Sequence, residues 1–414
     1  MIELRDYQQE ISDKACEILT RTNWCYLAME VRTGKTLTSL SIADNIYGVD
    51  NVLFLTKKKA ISSITADSDK LCPSYAFFVL NYESIHKLPP VSWDVIIVDE
   101  AHTLGAFPKP SKRAKQVRDL IQKHRPYVIL MSGTPTPESF SQMYHQVYGI
   151  PRNPFAKYAN FYKFAADYVD VRHRKVNSFM VNDYSRGHES IIEAVKDNTI
   201  RYTQADAGFV NEINEKVLMV DLDESTYQMC KTLKNDKVIE GKSEVVLADT
   251  PVKLMQKLHQ MYSGTVKFES GNSMVLDYSK ADFIRSHFKG QKIGIFYKFV
   301  AELEALKKVF GDDLTTELSV FEDTDKNIAL QIVSGREGIS LRQADCLVYM
   351  NIDFTATSYW QSRDRMTTKE RVKNDIYWVF SEGGIEQDIY KAVSKKKDYT
   401  LKHFKRDIGY GRDT

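Results

Sequence analysis

Glu30-Val31-Arg32-Thr33-Gly34-Lys35-Thr36 follows the apolar run Trp24–Met29 and opens an amphipathic stretch from Thr36 to Tyr47. This order of strand, loop and helix is the setting a phosphate-binding loop needs, because backbone N–H groups at a helix N-terminus can cradle phosphate. In such a loop Thr33 and Gly34 form the turn, and Gly34 allows close backbone approach. Lys35 reaches the β- and γ-phosphates, and the Thr36 hydroxyl ligates Mg²⁺. The usual pattern, G-x-x-x-x-G-K-[ST], begins with glycine, whereas this chain has Met29 there. Taken alone, the stretch also reads as a helix start that happens to carry Gly-Lys-Thr.

Further along, Val95-Ile96-Ile97-Val98 runs into Asp99-Glu100-Ala101-His102. An apolar strand ending in two carboxylates suits phosphoryl transfer. Asp99 can hold Mg²⁺, directly or through water, and Glu100 can orient and deprotonate an attacking water. A solvated acidic turn is the plainer alternative. The two features together, in one α/β stretch, point to ATP.

Around them the first 150 residues alternate short apolar runs with amphipathic segments. Strands are expected at Trp24–Met29, Val52–Thr56, Ala76–Leu80, Val95–Asp99 and Tyr127–Met131. Helices are expected at Thr36–Tyr47 and Ser111–Lys123, and Ile11, Ala15, Ile18 and Leu19 share another helix face. That alternation predicts a parallel sheet covered by helices. Residues 151–202 are rich in aromatic and basic residues and read as a mostly helical insertion, with Tyr158, Phe161, Tyr162, Phe164 and Tyr168 as its core. Strand candidates return at Lys292–Tyr297, Ile328–Val333, Cys346–Met350 and Ile376–Phe380. The expected fold class is α/β, with lobes at 1–205 and 206–414.

Composition agrees. The 414 residues carry 57 basic and 55 acidic side chains, a net charge of +2, with 43% hydrophobic residues. Disordered and collagen-like chains are excluded. No apolar run approaches the roughly 18 residues of a membrane span, and the N-terminus is too charged for a secretory signal. The five cysteines show no C-x-x-C spacing, so a reducing cytoplasm is expected. Basic runs at 57–59, 109–125 and 391–412 are hidden by the small net charge; each alone reads as a solvated face.

Read jointly, the motifs resemble the superfamily 2 helicases and translocases. Asp99–His102 resembles their motif II, and Leu130-Met131-Ser132-Gly133-Thr134-Pro135 their motif III. Phe54-Leu55-Thr56-Lys57 and Leu80-Asn81-Tyr82-Glu83 resemble nucleic-acid-contacting segments, and Leu4-Arg5-Asp6-Tyr7-Gln8 resembles the adenine-reading one. Ile295-Phe296-Tyr297-Lys298 resembles motif IV. Ser334–Leu341 with Ala344-Asp345 is similar to motif V of the Swi/Snf branch, Gln361-Ser362-Arg363-Asp364-Arg365 to motif VI, and Gly384–Ile389 to the stretch after it. The likeness runs from about residue 4 to 393. Arg32 stands where that branch has a glycine, and Thr368 where it has a second motif VI arginine.

The resemblance implies two RecA-like lobes and a composite ATP site. Gln8 would read adenine, and Gly338, Gln361 and Arg365 would come from the second lobe, Arg365 as the arginine finger. Thr56, Lys57, Asn81, Tyr82, Lys298 and Ser334 would contact nucleic acid, and Ser132 and Thr134 would couple the two sites. The implied activity is ATP-dependent movement along duplex or branched DNA, in replication, recombination or repair, by a monomeric cytoplasmic protein of compact phage or bacterial type. An RNA-dependent helicase and a nucleotide-gated DNA-binding module with little turnover are the alternatives.

Overall fold

The structure is a computed structural model that describes residues 2–176, 179–209, 212–241, 243–332, 341–363 and 373–395. The chain forms two compact units, Met1–Phe209 and Val210–Thr414.

The first unit is built on a six-stranded sheet in the order Ala76–Asn81, Asn51–Thr56, Val95–Val98, Tyr127–Met131, Trp24–Met29 and Thr199–Tyr202. Every pairing is parallel, with Tyr26 opposite Leu130 and Leu55 opposite Val98. A parallel sheet is buried on both faces, so its strands read as continuous apolar runs. Side chains still alternate. Trp24, Tyr26, Leu53, Leu55, Ile96, Val98 and Leu130 face one core with Val117 and Ile121 of helix Lys112–His124. Cys25, Leu27, Met29, Phe54, Val95, Ile97 and Ile129 face the other, covered by helices Asp6–Thr22 and Lys35–Asp44.

The aromatic stretch packs as the sequence suggests: Phe155, Phe161 and Phe164 are buried, and Phe164 stacks on Tyr168 at 5.1 Å. The insertion is less helical than expected. It holds helix Phe161–Tyr168 and the single turn Ser190–Ala194, but also an antiparallel hairpin, Arg172–Val176 with Phe179–Asp183. Its last residues, Thr199–Tyr202, are the edge strand of the main sheet. Hairpin strands carrying Arg172, His173 and Asn182 have no apolar alternation, which is why periodicity did not reveal them.

The second unit has its own parallel sheet in the order Leu314–Thr315, Asn327–Gln331, Ile293–Tyr297, Cys346–Tyr349, Lys373–Ser381 and Glu212–Val220. Two short hairpins, Val238–Glu240 with Val245–Leu247 and Thr265–Lys267 with Ser273–Val275, precede the inner strands. Among the described residues no helix is long and apolar enough to cross a membrane.

A buried ion pair ties three parts of this unit. Lys280 and Glu386 are 1% and 0% exposed, and their Nζ and Oε1 atoms lie 2.7 Å apart. Lys280 also donates to the Met350 carbonyl, and Ser381 Oγ donates to Glu386. Removing one partner of such a pair strands a buried charge, at a cost of about 3–5 kcal/mol, while replacing both by apolar residues costs far less. Glu386→Ala is therefore expected to lower the second unit's stability by about that amount in guanidinium unfolding. The double variant Lys280→Met/Glu386→Leu is expected to recover most of the loss. An unshifted midpoint for Glu386→Ala would contradict the pair's role.

Candidate active site

Because the strands of the first sheet are parallel, their C-terminal ends share one edge. The loops after Met29, Thr56, Asn81, Val98 and Met131 all emerge there, which is where open α/β sheets bind ligands. The expected phosphate-site residues of the first unit are grouped on it.

The loop after Trp24–Met29 enters helix Lys35–Asp44 through two residues with positive φ, Arg32 at 62° and Gly34 at 83°. A left-handed backbone favours glycine, and for an L residue it costs about 1–2 kcal/mol. Arg32 thus occupies the conformation that explains a glycine at this position in the Swi/Snf pattern. A Cβ on Gly34 would lie 2.2 Å from Gln8 Nε2. Gln8 is buried and donates to the Gly34 carbonyl at 3.2 Å and to Thr38 Oγ1 at 3.4 Å. Tyr7 donates to the Thr33 carbonyl at 3.1 Å and stacks on Tyr202 at 4.7 Å. The Lys35 ammonium donates to the Met29 and Glu30 carbonyls, each at 2.9 Å. Its charge also reaches both carboxylates of the neighbouring strand end.

At that end Asp99 accepts a hydrogen bond from Thr56 Oγ1 at 2.8 Å. Its carbonyl accepts from the Tyr82 hydroxyl. Glu100 follows in a left-handed conformation, φ 49° and ψ 46°, with its N–H donating to Asp99 Oδ1 at 3.0 Å. Glu100 Oε2 lies 3.1 Å from His102 Nδ1, which is 2.9 Å from Ser132 Oγ. Ser132 Oγ in turn accepts from the Thr134 N–H at 3.1 Å. The second strand end is thereby linked to the third.

The two carboxyls are driven apart. Burial, then the adjacent Glu100 charge, raises Asp99 above the usual carboxylate range against the pull of Thr56 and Lys35. Burial also pushes Glu100 up, but His102, Lys35 and Lys57 outweigh it and hold Glu100 below that range. An ionised Glu100 can accept a proton. Asp99 is short of positive charge, and its oxygens, with the Thr36 hydroxyl, are the hard donor set that Mg²⁺ takes. The residues present fit that ion.

Several expected contacts point elsewhere. Thr56 is fully buried and spends its hydroxyl on Asp99. Tyr82 is 1% exposed. Neither side chain is presented at the surface, as a nucleic-acid contact would require. Both help hold the acidic segment instead. Asn81 remains near the surface, donating to Glu83 at 2.9 Å. In the second unit Lys298 is paired with Asp353, and its ammonium lies 4.6 Å from the Phe354 ring. Gln361 lies in helix Ala356–Arg363; its side chain, and Ser334, Gly338, Arg365 and Thr368, lie outside the described residues. So does the basic tail from residue 396.

Sequence reasoning took Arg113 only as one cation of the basic run at 109–125 and did not single out Tyr202 or Gln204. Gln204 donates from its backbone to Glu30 Oε2 at 2.8 Å and from its side chain to the Val31 carbonyl at 3.1 Å. No local motif marks a residue whose role arises from a contact more than 170 positions away. The cavity against Thr22, Asn23, Arg125 and Tyr148 lies at the opposite, N-terminal ends of the strands and holds none of the expected residues.

A family model described as SNF2-related domain matches residues 51–265, and one described as the res subunit of type III restriction enzymes matches residues 1–72. The chain is 20% identical over 381 residues to the CHD3-type chromatin-remodeling factor PICKLE of Arabidopsis thaliana, covering 82% of this chain and 26% of that protein. It is 36% identical over 72 residues to the RNA polymerase-associated protein RapA of Yersinia enterocolitica, 17% of this chain and 7% of that one. The chain therefore spans about a quarter or less of these relatives' length. Among solved structures it is similar to the Sulfolobus solfataricus SWI2/SNF2 ATPase core in complex with dsDNA, at 16% identity and TM-score 0.42, covering 99% of this chain and 94% of that one. The core domain of the same organism matches at 15% identity and TM-score 0.44, covering 96% and 89%.

The loop geometry makes one substitution informative. Gly34→Ala adds left-handed strain of about 1–2 kcal/mol and drives Gln8 off the Gly34 carbonyl. Scanning calorimetry is expected to show a lowered melting midpoint for Gly34→Ala, and an unchanged midpoint would mean that the loop is not held as described.

Proposed function

The chain belongs to the SNF2-related domain family and is a helicase/translocase-type ATPase, and from that premise we propose that it couples ATP hydrolysis to movement along duplex or branched DNA. The observation that carries the reading is the gathering of Lys35, the Thr56-bonded Asp99 and the His102-paired Glu100 at the sheet's C-terminal edge. Thr33, Gly34 and Lys35 bind the phosphates, and Gln8 reads the adenine. Glu100 orients and deprotonates water, with His102 keeping it ionised and aimed. Mg²⁺, when bound, would be held by Thr36 and Asp99 and would neutralise phosphate charge. Ser132 and Thr134, joined to Glu100 through His102, relay the state of the phosphate site. Gly338, Gln361 and Arg365 are the proposed contributions of the second unit.

DNA is the proposed track because the motif V and VI segments follow the Swi/Snf pattern. Lys57, Asn81, Lys298 and Ser334 are its proposed contacts. Phosphate contacts of this kind make binding tolerant of sequence and sensitive to salt. Fork remodelling, branch migration and repair are processes that such a motor serves.

Hydrolysis measured across single-stranded, duplex, forked and four-way DNA and RNA tests the reading. Duplex or branched DNA is expected to stimulate most. Stronger stimulation by RNA would favour an RNA-dependent enzyme, and no stimulation by any nucleic acid would sink the proposal. Glu100→Gln is expected to lower turnover by about 10²–10⁴-fold, the scale of a lost general base. Lys35→Ala and Arg365→Ala are expected to abolish turnover too, all three binding DNA at low salt. Tight ATP and DNA binding without phosphate release in the unaltered protein would favour a gated binding module.

A further inference from the structure

Tyr82 connects the acidic segment to residues at the surface of the first unit. Tyr82 is almost wholly buried, and its hydroxyl donates to the Asp99 carbonyl. The outer face of its ring meets Arg113, whose guanidinium carbon is 4.5 Å from the ring centroid. Arg113 stands in the first turn of helix Lys112–His124, within the basic run at 109–125.

Arg113 is not aimed only at Tyr82. Its Nη2 lies 2.7 Å from Glu83 Oε1, and Asn81 Nδ2 donates to the other oxygen, Oε2, at 2.9 Å. A guanidinium and an amide thus converge on the two oxygens of one carboxylate. A phosphodiester presents the same pair of charge-sharing oxygens, and guanidinium recognises both. Glu83 is 63% exposed and Arg113 28%. An ion pair this exposed is weak, so a polyanion brought near by the other cations of the run can displace Glu83.

We propose that Asn81 and Arg113 form a seat for a backbone phosphate of nucleic acid, that Glu83 occupies this seat in its absence, and that Tyr82 relays the exchange to the Asp99–Glu100 segment. The inference rests on the reading of the chain as a nucleic-acid-stimulated ATPase and adds how the stimulus enters. Exchanging Glu83 for phosphate draws Arg113 outward from the Tyr82 ring. The ring's hydroxyl holds the carbonyl just before Glu100, whose left-handed backbone is strained and persists because its surroundings hold it. Tyr82 is thus a positioning residue, and Glu83 an internal competitor of the track.

The test measures hydrolysis by the full chain against duplex DNA concentration, and DNA binding by fluorescence anisotropy over a salt series. Glu83→Gln, at an exposed position, is expected to lower the DNA concentration for half-maximal stimulation. Arg113→Ala is expected to raise it and to reduce the salt slope of binding by about one, as for one lost phosphate contact. Tyr82→Phe keeps the ring. It is expected to keep DNA affinity while the ratio of stimulated to basal hydrolysis at saturating DNA falls by at least about threefold, a loss of little more than half a kcal/mol of coupling. If the unaltered protein is stimulated but all three variants keep its ratio, midpoint and salt slope, the relay is wrong and the ATPase reading stands. If the unaltered protein is not stimulated by any nucleic acid, both fall.

Discussion

Strand direction is the constraint on which the first unit depends. All pairings of its six-stranded sheet are parallel, so each strand must be followed by a crossover that returns the chain to the starting edge. Five loops are thereby forced onto one edge whatever their sequence. Residues as far apart as Lys35, Asp99 and Ser132 become neighbours because each comes just after a strand. The crossovers also cover both faces, which buries strands such as Val95–Val98 completely. The chemistry of the edge and the apolarity of the strands have one cause.

That cause also decides what could be read from the sequence. Inner strands buried on both faces are continuous apolar runs, and Trp24–Met29, Tyr127–Met131 and Cys346–Tyr349 stand within a residue of their expected bounds. Two edge strands are not: Glu212–Val220 carries polar residues over most of its first half, Glu212, Asn214, Glu215 and Lys216, and Thr199–Tyr202 was absorbed into the supposed helical insertion. At the site, Lys35, Asp99 and Glu100 were legible because strand, turn and residue type coincide locally. The inward roles of Thr56 and Tyr82 were not, because a threonine or tyrosine at a strand end looks the same whether it faces solvent or a carboxylate.

The loop after Trp24–Met29 has arginine where the Swi/Snf pattern has glycine and keeps the left-handed conformation there. Arg32 and Gly34 both sit at positive φ, and the strain is held from outside the loop. Tyr7 and Gln8 fix Thr33 and Gly34, while Gln204 fixes Glu30 and Val31. A loop with two glycines would take many shapes when empty. With arginine at one of them and these hydrogen bonds around it, the alternatives are fewer. The same economy applies at Glu100, whose left-handed backbone is over-determined by Asp99, His102 and Tyr82.

Two adjacent carboxyls in a poorly hydrated site cannot both hold a full charge cheaply. The distribution of partners settles which one does. His102, Lys35 and Lys57 favour the ionised form of Glu100, whereas Asp99 has chiefly the Thr56 hydroxyl and Lys35 against burial and its neighbour's charge. The surroundings thus hold Glu100 toward its ionised form and Asp99 toward its neutral one, and an added cation would oppose the rise at Asp99.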